Sequence, residues 1–270
     1  MGHLYLGAAS WSNDDWVGLI YPVGTPPGQY IGEYAKHFPT VEIDATFYRA
    51  PSERTVLAWR ERTPEHFVFS AKVPQVITHE KRLVDCQGEL EEFLRVMQLL
   101  GRKLGPLVFQ FPYFNKEAFP TRDAFLERLA AFLEKLPPGY RYAVEIRNRS
   151  WVCQPFLDLL RQHKVAYVAI DQAWMSPISQ LAAKFDLMTA DFSYVRWLGD
   201  RQAIEEVTTT WDRLVIDRSE QMRAWVEPVK RFLERGDVYG YFNNHYAGYA
   251  PGSIRLFQKM IDEAGSEPRA

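Results

Sequence analysis

The chain repeats one alternation along its length: a short apolar run that ends in a polar or charged residue, then a stretch with helical periodicity. The runs are Val41-Glu42-Ile43-Asp44, Phe67-Val68-Phe69-Ser70-Ala71-Lys72, Leu107-Val108-Phe109-Gln110, Val144-Glu145-Ile146-Arg147, Val168-Ala169-Ile170-Asp171, Tyr194-Val195-Arg196 and Tyr239-Gly240-Tyr241-Phe242-Asn243. They recur about every 25 to 40 residues, the rhythm of strand–helix units. Between them, Leu90, Phe93, Leu94, Met97, Leu100 and Leu104 fall on one helical stripe, and Phe125, Leu126, Leu129, Phe132, Leu133 and Leu136 on another. Over 270 residues without a linker, this pattern predicts a single TIM-like (β/α)8 barrel spanning 1–270. The first strand is expected at 4–9 and the last at 238–243. The 173–186 stretch is a poor helix former, so irregularity is expected around the sixth repeat.

Successive strand side chains point to opposite faces, and in such barrels the active site lies at the C-terminal strand ends. The polar residues that close the runs therefore predict a site there. A carboxylate buried alone costs several kcal/mol, so packing alone is a poor account of so many polar positions. Glu42, Glu145 and Asp171 are expected to face inward as carboxylates for general acid or base work, and Lys72 joins them as a catalytic cation. Arg147 and Arg196 present bidentate forks suited to carboxylate or phosphate. Gln110, Asn243, Asn244, His79 and Asp44 complete a polar ring, with Trp11 and Tyr48 as aromatic platforms for substrate. An anion is expected among Lys72, Arg147 and Arg196. Glu42 and Glu145 are expected to serve function more than stability.

Composition narrows the class of protein. Net charge is −2, from 32 basic and 34 acidic residues, so no global field draws the chain to nucleic acid or a membrane surface. A small anionic substrate is the expected partner, and nucleic acid is allowed but not favoured. Cys86 and Cys153 stand alone and far apart, which gives no disulfide framework and points to a reducing, cytoplasmic compartment. No apolar segment reaches the ~18 residues a membrane helix needs, and Met1 leads into the first strand without a basic–apolar leader. Only His79 and His245 fall near the expected site, too few imidazoles for a zinc cluster. No cofactor is expected, although an oxygen-only Mg2+ or Mn2+ site at Glu42, Glu145 and Asp171 is chemically allowed.

The motifs resemble those of a known family. Gly7-Ala8-Ala9-Ser10-Trp11-Ser12 with Trp16-Val17-Gly18 and Tyr21-Pro22 is similar to the opening of the YecE-like proteins, domain of unknown function 72. The likeness continues through Thr40–Arg49, Phe69-Ser70-Ala71-Lys72, Ile77-Thr78-His79, Gly105–Pro112, Val144-Glu145-Ile146-Arg147 with Ser150-Trp151, Tyr194-Val195-Arg196 and Tyr241-Phe242-Asn243-Asn244. The resemblance implies a TIM-like barrel and supplies no reaction. Two positions depart from the family pattern: Asp44 stands where Asn is frequent, and Leu198 where many members carry His.

Read from the site, the expected function is that of an enzyme, a hydrolase or lyase with carboxylate acid–base groups. Its substrate would carry a phosphate or carboxylate. The alternatives are a phosphodiesterase resembling endonuclease IV and a non-catalytic module that binds an anion or nucleotide. The segment 198–217 follows the Arg196 strand and overhangs the expected site. It is either a lid or a fixed loop in which Trp211 packs on a neighbour and Arg213 pairs with an acid.

Overall fold

The computed structural model describes residues 2–266. Eight parallel strands close on themselves in sequence order: β1 (Leu4–Ala8), β2 (Thr40–Ile43), β3 (Val68–Lys72), β4 (Leu104–Gln110), β5 (Tyr142–Glu145), β6 (Ala166–Asp171), β7 (Phe192–Trp197) and β8 (Asp237–Phe242). Around them run α1 (Tyr30–Tyr34), α2 (Glu53–Glu61), α3 (Gln87–Met97), α4 (Arg122–Leu133), α5 (Gln154–Gln162), α6 (Ile178–Lys184), α7 (Arg201–Glu205), α8 (Ser219–Arg235), α9 (Asn244–Ala247) and α10 (Ala250–Ser266). The expected barrel is present. Its sixth repeat closes normally, since β6 pairs with β7 over four residues; only the helix there is short.

Local chemistry sets the helix starts. Ser52 Oγ accepts from Thr55 N ahead of α2, and Thr121 Oγ1 from Ala124 N ahead of α4. The predicted stripes of α3 and α4 are the faces that bury Leu90, Phe93, Leu94 and Met97, and Phe125, Leu129, Phe132 and Leu133. They pack against outward strand residues such as Phe69, Ala71 and Phe109 to form the layer between sheet and helices.

The register fixes which residues share the barrel interior. Neighbours in parallel strands point the same way, and Glu42 lies beside Ser70, Lys72 beside Val108, Gln110 beside Glu145, Ile170 beside Arg196, and Arg196 beside Tyr241. Gly7 lies between Thr40 and Tyr241. A Cβ there would sit 2.1 Å from the Thr40 carbonyl oxygen, so only glycine lets β1 and β2 approach. Tyr34 fills the gap where these two strands part, accepting from Ala8 N at 2.7 Å and donating to Thr40 O at 3.0 Å. Tyr5 and Tyr239 stack at 4.8 Å nearer the N-terminal strand ends.

Candidate active site

A charged floor closes the barrel below its C-terminal mouth. Arg196, 1% exposed, donates from Nη2 to Glu42 Oε1 at 2.8 Å and from Nη1 to Glu145 Oε2 at 2.6 Å. Nη1 also reaches Gln110 Oε1 at 3.1 Å. Glu145 takes Arg147 Nε on its other oxygen at 2.6 Å, and Arg147 in turn donates to Gln172. Both carboxylates are fully buried. Beneath them lies a hydroxyl layer. Tyr194 donates to Glu42 Oε2 at 2.7 Å and lies 2.8 Å from Ser70 Oγ, while Thr40 and Tyr241 hydroxyls meet at 2.8 Å.

This arrangement revises several expectations. Glu42 and Glu145 are not poised as a general acid and base. Burial alone would raise the Glu145 carboxyl, but the Arg147 and Arg196 charges outweigh it and hold the group down at about 2. It stays ionised and anchors two guanidinium groups. Arg196 is likewise committed to two carboxylates and offers no fork to a ligand. Its Nε is buried without a partner. The expected anion hole among Lys72, Arg147 and Arg196 is therefore filled by the protein's own acids, because Lys72 also pairs with Asp44. The same pairing gives Glu42 and Glu145 a structural part as well, since removing either strands part of a buried charge network.

Glu145 makes the fold acid-sensitive. Its folded value lies below the ordinary ~4.3 of an exposed glutamate, so it contributes stability above that value and loses it as pH falls toward about 2. The contribution at neutral pH is on the order of 3 kcal/mol. Urea midpoints of the parent are expected to drop between pH ~4 and ~2, with a shallower drop for Glu145→Gln; parallel curves for the two proteins would remove Glu145 from the acid response.

Asp171 does not belong to the ring. Ile170 takes the inward position of β6, and Asp171 points outward, accepting from Trp225 Nε1 and Tyr246 OH. The misplacement is one residue of strand parity, which sends a side chain to the other face. The trio Glu42, Glu145 and Asp171 therefore cannot gather a Mg2+ or Mn2+ ion, and the two inward acids already spend their oxygens on arginine and tyrosine. Trp11 is no platform either; its ring edges pack on Trp59 and Phe69 at 5.3 and 6.3 Å, in the wall outside β3. Tyr48 stands on the rim, 68% exposed.

What faces the mouth is a smaller set. Lys72 lies 5.6 Å from the Phe47 ring, and His79 sets its ring against the same Phe47 at 5.0 Å. His79 sits on a wide helical turn, Val76–Glu80, that follows β3. Its Nδ1 is 2.8 Å from Thr78 Oγ1. Burial, then the Arg147 and Lys72 charges, lower the imidazole below its ordinary value, so it is neutral at pH 7. Asn243 and Asn244 shape the β1–β8 side. Asn243 Oδ1 accepts from His245 N at 3.0 Å and Asn244 Oδ1 from Ala250 N at 2.9 Å. A cleft of about 170 Å3 lies there, between Ser10, Asp44, Trp211 and these asparagines.

The 198–217 segment carries α7 and is tied down. Trp211 N donates to Asp15 Oδ2 at 2.8 Å, its carbonyl accepts from Trp16 Nε1 at 3.0 Å, and its ring meets His245 at 4.8 Å. These are the features of the fixed-loop expectation, although among the described residues Arg213 pairs only with adjacent Asp212. Sequence reasoning missed Thr40, Ser70, Tyr194, Tyr241 and Gln172. The first four each lie two residues before a polar or charged residue of an apolar run, the spacing that keeps a side chain on the same face of a strand.

Comparison with known proteins places the chain. The family model described as "Protein of unknown function DUF72" matches residues 5–270. The UPF0759 protein YecE of Escherichia coli K12 is 36% identical over 145 residues, 54% of this chain and 48% of that one. The UPF0759 protein YunF of Bacillus subtilis is 32% identical over 162 residues, 57% of this chain and 54% of that one. The chain spans about half the length of the curated relatives it matches. A crystal structure of a DUF72 family protein from Thermotoga maritima is similar at a TM-score of 0.74 and 28% identity, covering 96% of this chain and 99% of that one.

Proposed function

The chain belongs to the DUF72 family of proteins of unknown function, whose description names no reaction, and from the site itself we propose an enzyme acting at the barrel mouth on a small anionic substrate. The reaction class is hydrolysis or elimination by acid–base chemistry. The substrate carries a carboxylate or phosphate, held between Lys72 and Arg147 in place of part of their present pairing. His79 takes or gives the proton, and Gln110 and Gln172 orient the substrate through their amides.

One observation carries this reading: His79 and Lys72 meet the same Phe47 ring at the mouth, where burial and the Arg147 and Lys72 charges lower the imidazole. A neutral imidazole is a competent base at pH 7, and the two cations next to it attract the negative charge of a substrate. The committed floor supports the pair from below, because Glu145 fixes Arg147 and Asp44 fixes Lys72. Each cation has a second anchor that can stay in place, Arg147 on Gln172 and Lys72 against the Phe47 ring, when the substrate takes over part of the acid pairing. The phosphodiesterase reading fares worse, since His245 is engaged with Asn243 and lies 3.4 Å from Glu205, and the described residues hold no imidazole cluster for metal.

The test is depletion of a small-molecule extract followed by mass spectrometry. The parent protein is expected to consume at least one carboxylate- or phosphate-bearing compound that Lys72→Met leaves untouched. If the parent consumes nothing but phosphate or carboxylate compounds still bind it by calorimetry, the non-catalytic binding module replaces the enzyme. Absence of both turnover and binding would sink the anionic-substrate reading as a whole.

A further inference from the structure

A second chamber lies outside the barrel wall, between the end of β6 and helix α8. Asp171 and Gln172 are consecutive and serve opposite sides of that wall. Gln172 reaches Arg147 at the mouth, while Asp171 turns to Trp225 and Tyr246. The cavity has a volume of about 260 Å3, room for roughly nine waters at ~30 Å3 each, and so suits a ligand of about ten heavy atoms rather than a drug-sized one.

Its polar groups are unusually specific. Asp171 Oδ2 accepts both hydrogen bonds, from Trp225 Nε1 at 2.8 Å and Tyr246 OH at 3.1 Å, and among the described residues Oδ1 accepts none. Across the same cavity stands Arg218. Its Nε donates to the Tyr246 carbonyl at 3.1 Å and its guanidinium lies 5.8 Å from the Tyr246 ring, while among the described residues its two Nη atoms make no hydrogen bond or ion pair. Although both line one small space, no ion pair joins Asp171 and Arg218. Met175 and Ile178 supply an apolar wall, together with the buried ring of Trp225. Asp200 at the edge is already spent on capping α7 through Ala203 N.

Two opposite charges that line one pocket without pairing suit a ligand that carries both charges close together. Asp171 is half-buried, and burial raises its carboxyl above the ordinary range despite Arg218. A positively charged group at Oδ1 would relieve that cost. We propose that this chamber binds an α-amino acid with an apolar side chain, the ammonium on Asp171 Oδ1, the carboxylate on Arg218 and the side chain against Met175, Ile178 and Trp225. The proposal is independent of the chemistry at the mouth.

Calorimetry tests it with L-leucine, L-methionine and L-phenylalanine against N-acetyl-L-leucine and L-leucinamide, each of which lacks one charge. At least one free amino acid is expected to bind, with each blocked form weaker by about tenfold or more. Asp171→Asn and Arg218→Met should each weaken binding to a similar degree. Arg218 is only half-buried, so its variant keeps the test open even where Asp171→Asn folds poorly. His79→Ala, at the mouth, should bind as the parent does, which separates failure here from failure of the enzymatic reading. The proposal is overturned if no standard amino acid binds at millimolar concentration, if the blocked forms bind equally well, or if Arg218→Met binds as tightly as the parent.

Discussion

Arg196→Met is expected to be the most destabilising single change at this barrel's centre. It leaves Glu42 and Glu145 in a water-poor interior with their shared cation gone. Breaking a buried pair by removing one partner costs about 3–5 kcal/mol. Here one guanidinium serves two carboxylates, so the upper end of that range is expected. For a chain of this size the melting temperature should fall on the order of 10 °C. Methionine nearly fills the volume, so cavity formation contributes little beside the electrostatic loss. The companion double variant, with Glu42→Gln added, should recover part of the loss, because Glu42 then needs no counter-charge while Glu145 keeps Arg147. Thermal melts of the two variants decide the matter. An Arg196→Met protein that melts within about 2 °C of the parent would show that the floor adds nothing to stability.

His79→Ala carries the largest expected effect on activity. A positioned acid–base group is worth about 10²–10⁴-fold in rate, and no second imidazole stands ready to replace this one. With the substrate found by extract depletion, kcat/KM should fall by that range while the melting temperature changes little, because His79 lies on a half-buried turn outside the sheet. The pH profile gives an independent check. A base must be unprotonated, and burial with Arg147 and Lys72 lowers this imidazole. The rate should therefore stay flat through neutral pH and decline only on the acid side, below the ordinary ~6.5 of histidine. A limb centred above neutrality, or one unchanged in His79→Gln, would assign the proton transfer to another group.

The fold was legible in the sequence because a parallel barrel buries both faces of each strand, which writes apolar runs at a regular interval with helical stripes between them. Most of the site's membership was legible too. Glu42, Lys72, Gln110, Glu145, Arg147 and Arg196 do share the interior or its rim. Their partners were not. Whether Arg196 meets a substrate or two glutamates depends on distances across the barrel between residues 154 and 51 positions apart, and strand patterns carry no information on those. Asp171 shows the other limit. It ends its run just as Asp44 and Gln110 do, but the parity of β6 is set by its pairing with β7, and one residue of offset moves a carboxylate from one chamber to another. Trp11 failed for a similar reason, since a large ring after a strand can turn into the wall as readily as into the mouth.

The charged floor also imposes an order on chain assembly. Its two acids belong to β2 and β5, and the cation that neutralises both arrives only with β7. While the polypeptide emerges from the ribosome, any half-barrel ending after β5 holds Glu42 without its guanidinium. Glu145 then has Arg147 alone. Such an intermediate cannot dehydrate its interior without stranding charge, so its concave side must stay wet until the distant strand docks. Drying of the interior is then expected to be coupled to that long-range contact, which penalises partial barrels and their exposed edges. Cutting the chain between β5 and β6 should accordingly give fragments that remain loose separately and become compact on mixing.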